Sequence, residues 1–124
     1  MREYCEILFR AKSNQAWYHG YVYQDFESPT RNKWRLNTLD GYTMMINPNT
    51  ICQYTGLTDM YNKKIFEGDI IKNEYENYIA VIKCLNNLNE MVAEVINGGI
   101  YSLSDLQSNK IEVIGNIFDD KEMI

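Results

Sequence analysis

Polar and apolar positions alternate with a period of two along most of this chain, the signature of strands that bury one face. "YCEILF" (residues 4–9) and "AWYHGYVYQ" (16–24) read as strands joined at the polar turn Lys12-Ser13-Asn14-Gln15. "DFESPTRN" (25–32) reads as a loop marked by Pro29. "KWRLNTLDGYTMMIN" (33–47) is predicted to be a hairpin about Leu39-Asp40-Gly41, because Asp-Gly supplies the positive-φ residues that tight hairpin turns need. In "NPNT" (47–50) Asn47 precedes a proline and Asn49 tolerates left-handed geometry. A turn is expected there, followed by a short strand at 51–54.

The second half keeps the same period. After "TGLTDMYNKKIFEGDIIK" (55–72) comes the polar turn "NEYENY" (73–78). "YIAVIKCL" (78–85) and "EMVAEVI" (90–96) are predicted to pair across Asn86-Asn87-Leu88-Asn89, and "NGG" (97–99) breaks the chain again. "SLSDLQ" (102–107) is the one short helix expected, with Ser102 as its cap and Asp105 in the first turn, where the helix dipole favours an acid. "KIEVIGNIF" (110–118) is a last strand with Gly115 as a bulge or close approach, and the acidic tail "DDKEMI" is expected to fray. The fold class that follows is mainly β: a small, strongly bent sheet or an SH3-like, partly open barrel with a hairpin arm and one short helix. At 124 residues the expectation is a single domain spanning 1–124 with a core of its own.

The totals add limits. No uncharged apolar run is long enough to span a bilayer, and "MREYCEILFRAK" carries too many charges for a secretory signal. Cys5, Cys52 and Cys84 lie in strand-like stretches without a C-x-x-C pair, so they read as reduced, small core hydrophobes in a cytoplasmic protein. A net charge of −5 opposes nonspecific attraction to nucleic acid or anionic lipid, although a local patch can override it.

Four features carry candidate chemistry. Glu67-Gly68-Asp69 sets two carboxylates around a glycine, which an acid–base or metal site would also do. On a straight strand Ile65, Glu67, Asp69 and Ile71 would share one face, and a buried face does not hold two unpaired carboxylates cheaply. The chain is therefore predicted to turn at Gly68, with Asp69 accepting backbone N–H bonds and Ile70 opening a new strand. His19, the single histidine, has neither a matching nucleophile motif nor a local chelating pair, which argues against a triad or a zinc site. Trp17, His19, Tyr21 and Tyr23 alternate onto one face and read as a wall of the core, a subunit contact or a stacking surface. "TRNKWR" (30–35) gathers Arg31, Lys33 and Arg35 around Trp34. With Tyr42 on the same hairpin arm, these residues form a patch for protein contact or for nucleic acid.

Three stretches in order, "ILFRAKSNQAWYHGYV" (7–22), "INPNTICQYTGLTDMYNKKIFEGDIIK" (46–72) and "EVIGNIFDD" (112–120), resemble the YopX family of phage and prophage proteins of Gram-positive bacteria. The family usually has Asn-Gly before the Lys-Lys where this chain has Tyr61-Asn62, and Asn62 can take the left-handed conformation at modest cost. The resemblance implies a largely β structure and a phage-lineage context, and it brings no catalytic residues. The functional expectation is a non-enzymatic accessory protein without cofactor or metal, acting on an unknown phage or host protein and self-associating as a homo-oligomer. Its alternative is a nucleic-acid-binding module that uses the Arg31–Arg35 patch. No membrane partner is expected.

Overall fold

The period-two stretches become eleven strands in the computed structural model, which describes residues 7–85 and 90–124. The chain divides into two compact units, residues 1–54 and 55–124. The described strands fall into two antiparallel sheets, so the mainly β class stands, and no barrel closes.

In the N-terminal unit, β1 (Phe9–Ser13), β2 (Ala16–Gln24), β3 (Trp34–Thr38), β4 (Thr43–Met45) and the start of β5 (Cys52–Thr58) lie side by side in the order β4-β3-β2-β1-β5. The first hairpin is tighter than the four-residue turn expected. Asn14 and Gln15 alone make it, with φ of 51° and 69°, as a type I′ turn requires, and Ser13 already faces Ala16. The β3–β4 hairpin forms where Asp-Gly predicted it: Gly41 has φ 98°, and Thr38 N–H donates to Tyr42 O at 2.8 Å. "NPNT" turns differently from expectation. Asn49 is not left-handed; Pro48–Thr50 form a 3-10 turn, held by Asn49 N–H donating to the Asn47 side-chain oxygen at 3.0 Å.

Alternation along these strands sets up one apolar face. Ala11, Leu36 and Ile46 form its centre, with Val22, Trp34 and Met44 packed around them. Each Leu or Ile fully buried there contributes about 1.5–3 kcal/mol. Gly20 lets β2 and β3 close on each other, since a Cβ built on it would lie 2.0 Å from Asn37 O.

The C-terminal unit takes the rest of β5, with β6 (Lys64–Phe66) alongside, and a second sheet. That sheet contains β7 (Asp69–Asn73), β8 (Tyr78–Leu85), β9 (Glu90–Val95), β10 (Ile100–Ser102) and β11 (Ile111–Asn116) in the order β10-β9-β8-β7-β11. Its core gathers Ile65, Ile71, Ala80, Ile82, Ala93 and Ile111. The β8–β9 pair has the expected register, Leu85 opposite Glu90, while the predicted turn Asn86–Asn89 lies outside the described residues, as does Cys5. The register shift between Val113 and Gly115 is the bulge expected at Gly115.

Three expectations need correction in this unit. The short helix expected in "SLSDLQ" forms as one 3-10 turn, Leu103–Asp105, because six residues cannot repay α-helix nucleation. Ser102 does not cap the backbone; its hydroxyl donates to Asp105 Oδ2 at 3.0 Å. The tail does not fray at its start. Asn116 N–H donates to Asp120 Oδ2 at 3.0 Å, Asp120 N–H donates to Asn116 O at 2.9 Å, and Lys121–Met123 form a further 3-10 turn. Cys52 is buried as expected, but Cys84 is exposed near the end of the β8–β9 hairpin. Among the described residues no helix is long and apolar enough to cross a membrane.

The close approach at Gly20 is testable. Gly20→Ala should lower unfolding free energy by about 1–3 kcal/mol in urea titration, because the new methyl meets backbone that must shift. Gly99→Ala, where a Cβ would meet nothing within 4 Å, should stay within about 0.5 kcal/mol of wild type.

Candidate functional site

The two carboxylates of Glu67-Gly68-Asp69 stand at a corner between two strands. β6 ends at Phe66, Glu67 and Gly68 turn with φ 88° at Gly68, and β7 starts at Asp69. Asp69 is 1% exposed, and its Oδ2 accepts the Phe66 N–H at 2.8 Å. The corner's own backbone is engaged as well, with Gly68 N–H donating to Ile82 O at 2.8 Å and Ile117 N–H donating to Gly68 O at 2.9 Å. Positive φ at the third residue of such a turn is where glycine avoids the Cβ clash that other residues suffer. Among the described residues no three His, Cys, Asp or Glu side chains are grouped so as to hold a metal ion.

A second carboxylate, Asp59, organises the preceding corner. It is 5% exposed, and its Oδ1 accepts both Tyr61 N–H and Lys63 N–H at 2.9 Å. Its Oδ2 accepts Val113 N–H of β11 at 2.9 Å, while Met60 N–H donates to Ile111 O at 2.9 Å. One side chain thus closes the β5–β6 turn and ties β11 to it. Asn62, in the same turn, has φ 65°. Burial pulls the Asp59 carboxyl toward its neutral form. The N–H bonds from Val113, Lys63 and Tyr61, with the Lys63 charge, outweigh that and hold its pKa below the usual 3.8. Sequence reading missed Asp59. Its local signal was an Asp opening a tight turn that closes on Asn62, the pattern of an Asx-turn.

Of the patch Arg31, Lys33, Trp34, Arg35 and Tyr42, the structure brings three residues together around one depression. Adjacent strand residues point to opposite faces, so Trp34 joins the buried side and Arg35 the other. Arg35 is buried and holds the 28–34 loop. Its Nη1 donates to Asn32 O at 2.8 Å and Trp34 O at 2.9 Å, and its Nη2 donates to Ser28 Oγ at 2.9 Å and Thr30 Oγ1 at 3.0 Å. Lys33 Nζ donates to Ser28 O. Arg31, Lys33 and Trp34 line a shallow depression of about 420 Å³ with Gln24, Asn32 and Pro48, whereas Tyr42 sits exposed at the β3–β4 tip.

The stripe Trp17, His19, Tyr21 and Tyr23 lies on the side of β2 away from Leu36. Val22 packs on the buried side, while His19, Tyr21 and Tyr23 are exposed and Trp17 is half-buried. Arg10 and Lys12 of β1 stand against the Trp17 ring, 4.7 and 5.2 Å from its centroid.

Residues 8–124 match the family model described as YopX protein. The chain belongs to the YopX family. No curated protein matches it. The match takes in both corners, so the Asp59 turn and the Glu67-Gly68-Asp69 turn are parts of the YopX domain of this chain.

The depressed pKa of Asp59 makes an acid-dependent prediction for this YopX-family chain. A carboxyl whose folded pKa lies below its unfolded value stabilises fully above about pH 4, and that stability is lost as pH falls through the folded pKa. Asp59→Asn should cost about 1–3 kcal/mol at neutral pH, because its NH₂ cannot accept the Val113 N–H. The gap to wild type should shrink as pH falls through the folded pKa, when the wild-type carboxyl is itself protonated. Urea unfolding across that pH range reads both effects.

Proposed function

We propose that this YopX-family chain is a non-enzymatic accessory protein of a phage or prophage, working in the cytoplasm of a bacterial host through protein contacts, self-association among them. One observation carries the reading. At the tip of the β3–β4 hairpin Leu39 and Tyr42 are 69% and 67% exposed, and Met45 is exposed on β4, an edge strand that pairs with β3. An edge strand presents unpaired N–H and C=O groups, and apolar side chains beside it favour a partner strand over water. A second copy fits that edge in an antiparallel, two-fold arrangement in which each β4 meets the other. Trp34 leaves the contact set, since it packs with the buried face of its own unit. The absence of catalysis is supported by the two corner carboxylates, which both accept backbone N–H groups.

Size-exclusion with light scattering tests the reading. Wild type should elute above the monomer mass at micromolar concentration. The double variant Leu39→Ser/Tyr42→Ser should shift toward monomer with its melting temperature unchanged, because both side chains are solvent-exposed. A wild type that stays monodisperse and monomeric at high concentration removes the proposal.

A further inference from the structure

The overall charge of −5 divides unevenly between the units. Residues 1–54 carry six Lys and Arg against five Asp and Glu, whereas residues 55–124 carry six against twelve. The acidity that opposes an anionic ligand is therefore concentrated in the C-terminal unit. In the N-terminal unit the 28–34 loop is braced from within. Arg35 donates to Ser28 Oγ, Thr30 Oγ1, Asn32 O and Trp34 O, and Lys33 Nζ donates to Ser28 O. The Asn32 amide adds two bonds, its Oδ1 accepting Trp34 N–H at 2.9 Å and its Nδ2 donating to Ile46 O at 2.8 Å. A loop fixed in advance loses less freedom when a ligand arrives.

Two exposed polar side chains take no part in this bracing. Among the described residues neither the Arg31 guanidinium nor the Gln24 amide has a hydrogen bond or an ion pair. Both line the depression of about 420 Å³, together with the half-buried Trp34 and Pro48. Gln24 stands directly opposite Trp34 across β2–β3, and directly opposite residues share a face. That face is the one that carries Leu36, and the depression lies at its margin. Among the described residues no acid lines the depression. Asp25, nearby in sequence, turns its Oδ1 to Glu27 N–H at 3.2 Å.

We propose that this depression receives one nucleotide of a single-stranded nucleic acid, its base against Trp34 and Pro48 and its phosphate on Arg31. A guanidinium presents paired N–H groups that fit two phosphate oxygens. An indole stacks on any base, since every base offers a π face, and the Gln24 amide offers both a donor and an acceptor to a base edge. An acidic peptide would satisfy Arg31 but brings no flat group to the indole. A shallow depression encloses too little of a free nucleotide to hold it, because small-ligand pockets bury most of their ligand. A duplex keeps its bases stacked inside. With Arg31 as the phosphate contact and Lys33 beside it, the log–log salt slope is about −0.7 to −1.4. The inference goes beyond self-association at the β4 edge and is independent of it, since neither Leu39 nor Tyr42 lines the depression.

Fluorescence anisotropy tests it with fluorescein-labelled, mixed-sequence single-stranded DNA, single-stranded RNA and the matching DNA duplex, and with unlabelled AMP and a polyglutamate peptide as competitors. At least one single strand should bind at low salt, and the duplex should bind roughly tenfold more weakly or worse. Arg31→Glu should lose roughly tenfold or more in affinity, and Gln24→Ala a smaller factor, both with unchanged melting temperatures because both side chains are exposed. Lys121→Glu, the same charge change at an exposed site in the other unit, should bind as wild type does, and so should Leu39→Ser/Tyr42→Ser. No single-strand binding at low salt, equal binding of the duplex, or full affinity in Arg31→Glu each overturns the proposal. So does an equal loss in Lys121→Glu, which would make the attraction one of overall charge. Displacement of the strand by AMP or by polyglutamate at equal molar concentration would make the depression a free-nucleotide or a carboxylate site, and the proposal fails.

Discussion

A backbone N–H buried at a corner must find an acceptor, and in this protein short side chains supply it. Asp69 takes the Phe66 N–H, and Asp59 takes those of Tyr61, Lys63 and Val113. Asn73 takes those of Tyr75 and Glu76 at 3.0 Å, and Asp120 takes that of Asn116. A buried donor left without a partner costs about 1–3 kcal/mol, a large share of the net stability of a domain this size. Small sheets with many reversals have many such donors, because the ladder stops where the chain turns. Asp69, one of the two carboxylates that look most like chemistry, is thereby engaged in holding a corner.

The units divide the remaining work. The C-terminal unit buries Ile65, Ile71, Ile82 and Ile111 between short, tightly turned strands, and its buried acids Asp59 and Asp69 hold corners. The N-terminal unit gathers Ala11, Leu36 and Ile46 on one face of its strands, and the proposed β4 edge lies in this unit.

Much of the strand plan was legible because turn chemistry is local. Asp40-Gly41 marked its hairpin, and the bend at Gly68 followed from the cost of placing Glu67 and Asp69 on one buried face. Asn62, with φ 65°, takes the left-handed geometry that the absent glycine would have supplied. Asp59 was illegible as a hub because its partner Val113 lies 54 residues away, and no local pattern encodes that bond. The Arg31–Arg35 cluster was legible in part: Arg31, Lys33 and Trp34 line one depression, yet strand geometry sends Arg35 to the face opposite Trp34. "SLSDLQ" marked a short helix but has the length for only one 3-10 turn. Net charge averages two units of different character.

The most direct test of the architectural role of these acids is the stability of Asp69 variants with and without divalent cations. Asp69→Ala should lose about 1–3 kcal/mol of unfolding free energy. Asp69→Asn should recover much of that, because an amide oxygen still accepts the Phe66 N–H. Magnesium, manganese or zinc should leave the wild-type melting temperature where it was. An Asp69→Ala protein as stable as wild type, or a cation that raises the melting temperature of wild type but not of the variant, would contradict the account.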